Sequence, residues 1–123
     1  MPKFFHHLSK NARRRIIEVL ASTRSQRDLA EDLGVTPAAV NKYLSGATHP
    51  SDRVLAKAIS VATRTEIEEI SMIIAEDLIG GLEDYIKWAM ENKILYYRSL
   101  ERLESLAAKS KLFATRRAKI SLS

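Results

Sequence analysis

The chain has 123 residues, 46% of them hydrophobic, and it carries a net charge of +5. This length and apolar content suffice for one compact domain with an appendage, and the abundance of Ala, Leu, Ile, Glu, Lys and Arg favours an all-α fold. The absence of Cys excludes disulfides and thiol chemistry. Because the apolar runs are shorter than a membrane span and the first residues lack a signal-peptide pattern, we expect a cytoplasmic protein without a membrane partner.

The charge is distributed in three blocks. Residues 1–63 carry ten Lys or Arg against five Asp or Glu, residues 64–108 carry five against ten, and residues 109–123 carry five against none. The two basic blocks favour a polyanionic partner, which would repel the acidic block between them. We therefore expect residues 64–108 to point away from any nucleic acid.

Residues 1–8 are expected to form a short arm that either packs its aromatic side chains or stays mobile. The arm contains two adjacent histidines, His6 and His7. Adjacent residues of a regular element point in different directions, and no third ligand lies nearby in the sequence. We interpret both side chains as solvated histidines and predict no metal site.

The first helix is predicted to begin after Ser9, whose side chain can cap it, and to run to about Ala21. Its apolar side chains, Ile16, Ile17 and Leu20, recur on one face. Three consecutive arginines, Arg13–Arg15, lie in the same segment. We interpret them as a solvated face, with a phosphate contact as the alternative.

Residues 26–45 are predicted to form two short helices joined by a tight turn. Ser25, with Asp28 three residues later, makes a capping box that marks the start of the first of them. The buried face of this helix is predicted to consist of Leu29, Ala30 and Leu33. Gly34 suits the left-handed conformation that ends a helix, and the small Ala30 allows the two helices to cross closely.

The second helix of this pair is predicted to begin at Thr36. The Thr36 hydroxyl can cap it, and Pro37 is preset for the first helical position. Its apolar residues recur at helical spacing at Val40, Tyr43 and Leu44, and Val35 of the turn re-enters the core. Two helices in this arrangement are typical of DNA-binding proteins.

Two further helices are predicted downstream. One spans about 52–62, and the next is expected to begin at a capping box formed by Thr65 and Glu68. Its apolar stripe continues to the pair Gly80–Gly81. Because paired glycines weaken a helix, we predict a kink or short break there inside a longer helix, rather than a true turn.

The remaining residues are predicted to form a helical extension and a basic tail. Leu100, Leu103 and Leu106 recur every three residues, which suggests a helix seam. The extension also contains four large aromatic residues, Tyr85, Trp88, Tyr96 and Tyr97. We expect these to pack in a core or an interface, with a small-molecule pocket as the alternative.

The motif resembles the helix-turn-helix of the Cro/phage-repressor (XRE-like) family in the string VNKYLSG and at Gln26, Leu29, Ala30, Leu33, Gly34, Val35, Val40, Tyr43 and Gly46. The resemblance covers about residues 8–78, which form a compact five-helix unit in this family. For the last forty-odd residues, which it does not cover, we predict a helical extension over 79–108 that dimerises and a basic tail over 109–123. The resemblance itself implies a DNA-binding domain over 1–78. It also implies double-stranded DNA as the partner and a nucleoid-associated location.

The family lays the second helix of the motif in the major groove, which implies base reading by Ala38, Asn41 and Lys42. Asn41 suits adenine, Lys42 suits guanine or a phosphate, and Ala38 suits only a thymine methyl; the alternative is that they are ordinary exposed residues. The resemblance implies phosphate binding by Gln26, Thr36 and Ser45, whose alternative role is capping. Possible additional contacts are Pro37, Thr48, His49, Arg13 and Arg14.

One departure from the family concerns the start of this helix. Pro37, Ala38 and Ala39 offer no polar side chain where many relatives carry Gln or Ser. Specificity is then expected to depend more on DNA shape, or on a basic arm such as the tail, than on direct hydrogen bonds.

The leading hypothesis is a prokaryotic transcriptional regulator that binds a specific double-stranded DNA site as a homodimer through its C-terminal helices. The alternative is an architectural or partition protein that organises DNA. We predict no enzyme and no cofactor, because the sequence lacks metal-ligand spacing, a phosphate-binding glycine loop, and a nucleophile beside a base. The acidic pairs Glu68-Glu69 and Glu76-Asp77 are interpreted as solvated helix faces, and the sequence identifies no effector.

Overall fold

A computed structural model describes the backbone of residues 1–122 and the side chains of residues 1–116. The order of elements is a 3₁₀ helix (Lys3–His7), α1 (Lys10–Ala21), α2 (Gln26–Leu33), α3 (Pro37–Ser45), α4 (Asp52–Val61), α5 (Arg64–Glu91) and α6 (Tyr97–Leu122). The all-α prediction is confirmed. The predicted five-helix count is wrong, because the described residues contain six α-helices and α5 continues well beyond Leu78.

The described residues form two compact units, Met1–Leu82 and a second that begins at Glu83. The first contains the 3₁₀ helix, α1 to α4 and most of α5, and the second contains the end of α5 and α6. The assignment of DNA binding to 1–78, dimerisation to 79–108 and a basic tail to 109–123 stays a prediction. No helix within residues 1–122 is both long enough and apolar enough to span a bilayer.

Hydroxyl side chains set the start of each of the first four α-helices. In each case the hydroxyl oxygen accepts a hydrogen bond from the backbone N–H three residues later, which satisfies a group with no partner inside the helix. The four caps are Ser9, Ser25, Thr36 and Ser51. The predictions of Ser9, Ser25 and Thr36 as caps are confirmed, and these local bonds explain why the helix starts were predictable.

A single hydrophobic core holds the first unit together. Its fully buried side chains come from the N-terminal arm and from every helix of the unit: Phe5, Ile16, Ile17, Leu20, Leu29, Val40, Leu55 and Ile70. The arm is therefore packed, which is the first of the two alternatives predicted for residues 1–8. Each buried aliphatic or aromatic side chain contributes roughly 1.5–3 kcal/mol, so this core fixes the positions of α2 and α3.

The start of α5 differs from the prediction. The capping box is formed by Thr63 and Glu66: the Glu66 N–H donates to the Thr63 hydroxyl at 3.2 Å, and the Thr63 N–H donates to the Glu66 carboxylate at 2.9 Å. The predicted pair, Thr65 and Glu68, lies two residues later and has the same spacing. Interactions with the α1–α2 connection select Glu66, because its carboxylate also accepts bonds from that segment.

Helix α5 runs unbroken through Gly80 and Gly81, so the two glycines lie inside a longer helix, as predicted, and neither a short break nor a true turn occurs there. The reason is the length of the helix, since its other residues supply enough favourable helical interactions to offset about 1 kcal/mol for each glycine. A Cβ atom added at either position would meet no atom within 4 Å. Packing therefore does not require glycine at these two positions.

In the second unit, two backbone hydrogen bonds close the C-terminal end of α5 before α6 begins. The Ile94 N–H donates to the Ala89 carbonyl at 2.9 Å and the Lys93 N–H donates to the Met90 carbonyl at 3.1 Å, with Lys93 in the left-handed region at φ 57°. Of the predicted leucine seam on α6, Leu100 and Leu103 are half-buried. The third residue of the seam, Leu106, remains 62% exposed.

Candidate nucleic-acid interface

The turn between α2 and α3 has the geometry that the sequence predicted. Gly34 adopts the left-handed conformation at φ 69°, and its N–H donates to the Glu31 carbonyl at 3.1 Å. The Val35 N–H donates to the Ala30 carbonyl at 2.9 Å. This pair of bonds closes the end of α2 and turns the chain directly into α3. Ala30 is buried, as predicted for the inner face of α2.

Helix α3 has a buried face and an exposed face. Val40 is fully buried, and Tyr43 and Leu44 are half-buried against the core. The exposed residues Ala38, Asn41, Lys42 and Ser45 are separated by three or four positions, so they lie on one side of the helix. The structure thus brings the three predicted base-reading residues together on one exposed surface.

The helix N-termini on either side of the turn carry two of the predicted phosphate contacts. Gln26 is the first residue of α2 and is exposed, and Thr36 caps α3. The Thr36 hydroxyl oxygen accepts from the Ala39 N–H at 3.1 Å, which leaves its own hydrogen free to donate to a phosphate. A helix N-terminus also attracts an anion through its free N–H groups and the helix dipole.

The third predicted phosphate contact, Ser45, has its hydroxyl occupied inside the protein. It donates to the Lys42 carbonyl at 3.1 Å and accepts from the Ala47 N–H at 3.4 Å. Donation to a phosphate would require Ser45 to give up its bond to Lys42. Gln26 and Thr36 are therefore better suited to phosphate binding than Ser45.

Arg13 does not lie at this surface, which corrects its prediction as a possible DNA contact. Its side chain is only 13% exposed and donates to the carbonyls of Leu8 at 3.2 Å, Pro50 at 3.0 Å and Phe5. It also pairs with the Asp52 carboxylate at 2.8 Å. Arg13 instead ties the N-terminal arm and the loop before α4 to α1, because its guanidinium is engaged with four internal acceptors.

His6 also contacts the Asp52 carboxylate. Its Nδ1 lies 2.7 Å from the Asp52 Oδ2 atom, although the histidine side chain is 75% exposed. The other histidine of the arm, His7, is exposed. The interpretation of His6 as merely solvated is thus incomplete, because it contacts Asp52.

The Arg14 side chain lies beside Gly46, at the C-terminal end of α3. A Cβ atom on Gly46 would be 3.7 Å from the Arg14 Nη1 atom, and Gly46 adopts φ 80°. The guanidinium also donates to Asn11 at 2.7 Å and pairs loosely with Glu18 at 3.4 Å. Since its side chain is 42% exposed, Arg14 can still turn toward a ligand bound along α3.

The remaining predicted contacts lie at the two ends of α3. Pro37 is exposed at its first position, and Thr48 and His49 are exposed in the loop that follows it. The Thr48 N–H donates to the Lys42 carbonyl at 3.3 Å, and Pro50 is buried, so this loop is held close to the helix.

Three exposed cations near the motif were not predicted. Arg27 lies in the first turn of α2, next to Gln26. Arg53 and Lys57 of α4 line an open groove of about 640 Å³ whose other wall includes the α2–α3 turn. Arg27 was identifiable from its position beside a predicted phosphate contact. Arg53 and Lys57 had no comparable indication in the sequence, because their location depends on how α4 packs.

The buried carboxylate of Glu66 holds the segment just before α2 in place. Glu66 is 4% exposed, and it accepts hydrogen bonds from the Thr23 hydroxyl at 2.5 Å, the Arg24 guanidinium at 2.7 Å and the Thr63 N–H. Burial by itself raises the pKa of this carboxyl, but the three hydrogen bonds and the Arg24 charge outweigh it and lower the pKa to about 2. The α1–α2 connection is therefore fixed to α5 just before Ser25 begins α2.

A second carboxylate, that of Asp77, holds the start of α1 in place, and this role was not predicted from the sequence. Its carboxylate accepts from the Ser9 N–H at 2.9 Å and from the Ser9 hydroxyl at 2.6 Å. The interpretation of Asp77 as part of a solvated face is wrong, because it binds the cap of α1. Its neighbour Glu76 does lie at an exposed position, 3.4 Å from Arg15.

Comparison with known proteins identifies the same region. Residues 17–70 match a family model described as helix-turn-helix. The match contains α2, α3 and α4 in full, together with parts of α1 and α5. The chain has no significant match among curated proteins or solved structures.

Proposed function

We propose that the chain is a prokaryotic regulator that binds a specific double-stranded DNA site, because residues 17–70 match the Cro/C1-type helix-turn-helix family, whose members are DNA-binding transcription regulators. The observation that carries the proposal is the exposed face of α3. Ala38, Asn41 and Lys42 lie together there, and the opposite face of the helix is anchored by the buried Val40. In this proposal α3 enters the major groove.

The side chains then divide into two roles. Asn41 reads adenine with its amide, Lys42 reads guanine or binds a phosphate, and Ala38 contacts a thymine methyl. Gln26 and Thr36 bind phosphates from the two helix N-termini and fix the position of α3 without reading sequence. Their exposure and the free hydrogen of the Thr36 hydroxyl support this assignment.

We also propose that the protein binds DNA as a homodimer. One α3 helix spans too few base pairs for a specific site, and two-fold dimers that read half-sites about 34 Å apart are a common solution. Large apolar side chains of the second unit support this, since Trp88 is 54% exposed, Tyr97 71% and Phe113 67%. Burial of such residues against a second copy would stabilise a dimer.

An architectural, DNA-organising role is the second candidate, and the basic end of the chain favours it. Lys109, Lys111 and Arg116 are exposed on α6. Arg117 and Lys119, which belong to the same predicted tail, lie outside the side chains that the structure describes. With the nonpolar start of α3 at Pro37, these cations would support binding that depends on charge more than on sequence.

Selection of bound fragments from a random DNA library by the full chain tests the choice between these roles. We expect a palindromic motif with half-sites about one helical turn apart. The matched control is the double variant Asn41→Ala/Lys42→Ala, which should enrich no motif while keeping its helical content. Fragments selected only by length, with the same salt dependence for every sequence, would refute the regulator and favour the architectural role.

A further inference from the structure

We propose that the dimer forms through contacts between oppositely charged helix surfaces: the second half of α6 in one copy docks on the last turns of α5 in a second copy. The proposal rests on the dimer suggested above and specifies its contact surfaces. It follows from two open surfaces of the second unit, one on α5 and one on α6, whose charges are opposite.

The α5 surface is a shallow groove bordered by carboxylates. Its lining consists of Glu83, Ile86, Lys87, Met90 and Glu91, around a volume of about 420 Å³. Ile86 and Met90 are four residues apart and form an apolar floor, and Met90 is 62% exposed. Glu83 and Glu91 lie in the neighbouring row on either side of Lys87, so the border carries a net negative charge.

The α6 surface is an apolar ridge bordered by cations. Leu106 and Phe113 are seven residues apart on one side of the helix, and they are 62% and 67% exposed. Arg102, Lys109 and Arg116 repeat at the same interval, each three or four residues from a ridge side chain, and all three are exposed. Residues 105–116 contain three cations and no carboxylate.

The two surfaces complement each other in shape and charge. An apolar ridge can enter an apolar groove while its bordering cations meet the bordering carboxylates. Both surfaces are open in the single chain, and a two-fold axis would form the contact twice. Antiparallel pairing of two α6 helices would instead bring Arg102, Lys109 and Arg116 against the same cations of the other copy. A parallel pair of α6 helices would place the polar Ser110 between Leu106 and Phe113 in an otherwise apolar contact.

A matched pair of single reversals tests the α6 side. Lys109 borders the ridge and Lys111 lies on the opposite side of the helix, so Lys109→Glu and Lys111→Glu change the net charge equally. The Lys109→Glu reversal replaces an attraction by a repulsion, and this change occurs twice in the dimer. We therefore expect the dissociation constant of the Lys109→Glu dimer to rise about tenfold. Sedimentation equilibrium measures it, and Lys111→Glu should match the unmodified chain. Equal effects of the two reversals would overturn the proposal.

Mixing of two charge-reversed chains tests the pairing itself. Lys109→Glu/Arg116→Glu makes the ridge acidic, and Glu83→Lys/Glu91→Lys makes the groove basic. Each variant alone should be mainly monomeric at concentrations where the unmodified chain is dimeric, and circular dichroism should show unchanged helicity. An equimolar mixture should regain the dimer, because both contacts of the heterodimer then pair opposite charges.

Failure of this proposal is distinguishable from failure of the proposed function. A parallel α6 pair would leave the Glu83→Lys/Glu91→Lys chain dimeric, which overturns the α5–α6 contact but keeps the dimer. A monomeric unmodified chain overturns both the contact and the dimer. Binding of a single DNA half-site by the α3 face is measured separately by titration. The outcome of that measurement does not depend on either oligomeric-state result.

Discussion

The Glu66→Gln variant isolates the contribution of the buried carboxylate behind the helix-turn-helix. Lowering of the Glu66 pKa from its ordinary value of 4.5 to about 2 corresponds to roughly 3 kcal/mol of folding free energy at neutral pH. Glutamine keeps the size of the side chain, and the Thr23 hydroxyl can reverse its bond and accept from the new amide. We therefore expect Glu66→Gln to lower the free energy of unfolding at pH 7 by about 1–3 kcal/mol.

The pH dependence of this loss provides the sharper test. Because the pKa is lower in the folded state, the stabilisation by Glu66 is present above about pH 4.5 and is lost as the pH falls toward 2. The difference in unfolding free energy between the original chain and Glu66→Gln should therefore shrink over that interval.

Urea unfolding followed by circular dichroism at a series of pH values measures the difference. The matched control is Glu68→Gln, since Glu68 is on the same helix, 63% exposed, and paired only with Arg64 at 3.1 Å within the described side chains. We expect that substitution to change stability by less than about 0.5 kcal/mol. A Glu66→Gln effect that stays constant from pH 6 to pH 2.5 would refute the charge-based reasoning.

Three other predictions concern separate parts of the chain. Asn41→Ala should cost about 1–3 kcal/mol of affinity at the selected site and relax preference at one base position, as measured by binding to single-base variants; equal losses on all sequences would contradict base reading. Arg13→Ala should lower the unfolding free energy by about 2 kcal/mol or more, whereas Arg14→Ala should keep stability and reduce the salt dependence of DNA binding. Gly80→Ala and Gly81→Ala should each raise the unfolding free energy by roughly 0.5–1 kcal/mol in urea titrations, and a decrease would show that the helix needs glycine there.

The helix-turn-helix was predictable because its determinants are local in the sequence. Ser25 and Thr36 cap helices through bonds to residues three positions away, and Gly34 ends α2 through its own conformation. The exposed face of α3 follows from helical spacing once Val40 is placed in the core. None of these inferences required a distant contact.

The errors arose where distant residues decide between equivalent local patterns. Thr63 with Glu66 and Thr65 with Glu68 have the same spacing, and Thr23, about forty residues earlier, selects the first pair. Arg13 was indistinguishable from its neighbouring arginines until its acceptors were located. These acceptors come from the arm and from the loop before α4, which are far apart in the sequence.

The chemistry of α3 also bears on the dimer. Asn41 and Lys42 are the two polar base-reading side chains proposed for each copy, and a good contact with a base contributes about 1–3 kcal/mol of discrimination. One copy then supplies roughly 2–6 kcal/mol, while specific sites are usually bound about 4–10 kcal/mol more tightly than other DNA. A single copy reaches only the lower part of that range. Two copies on a palindrome double the discrimination, so a base-reading surface as small as that of α3 makes a dimer a functional requirement of the proposed regulator.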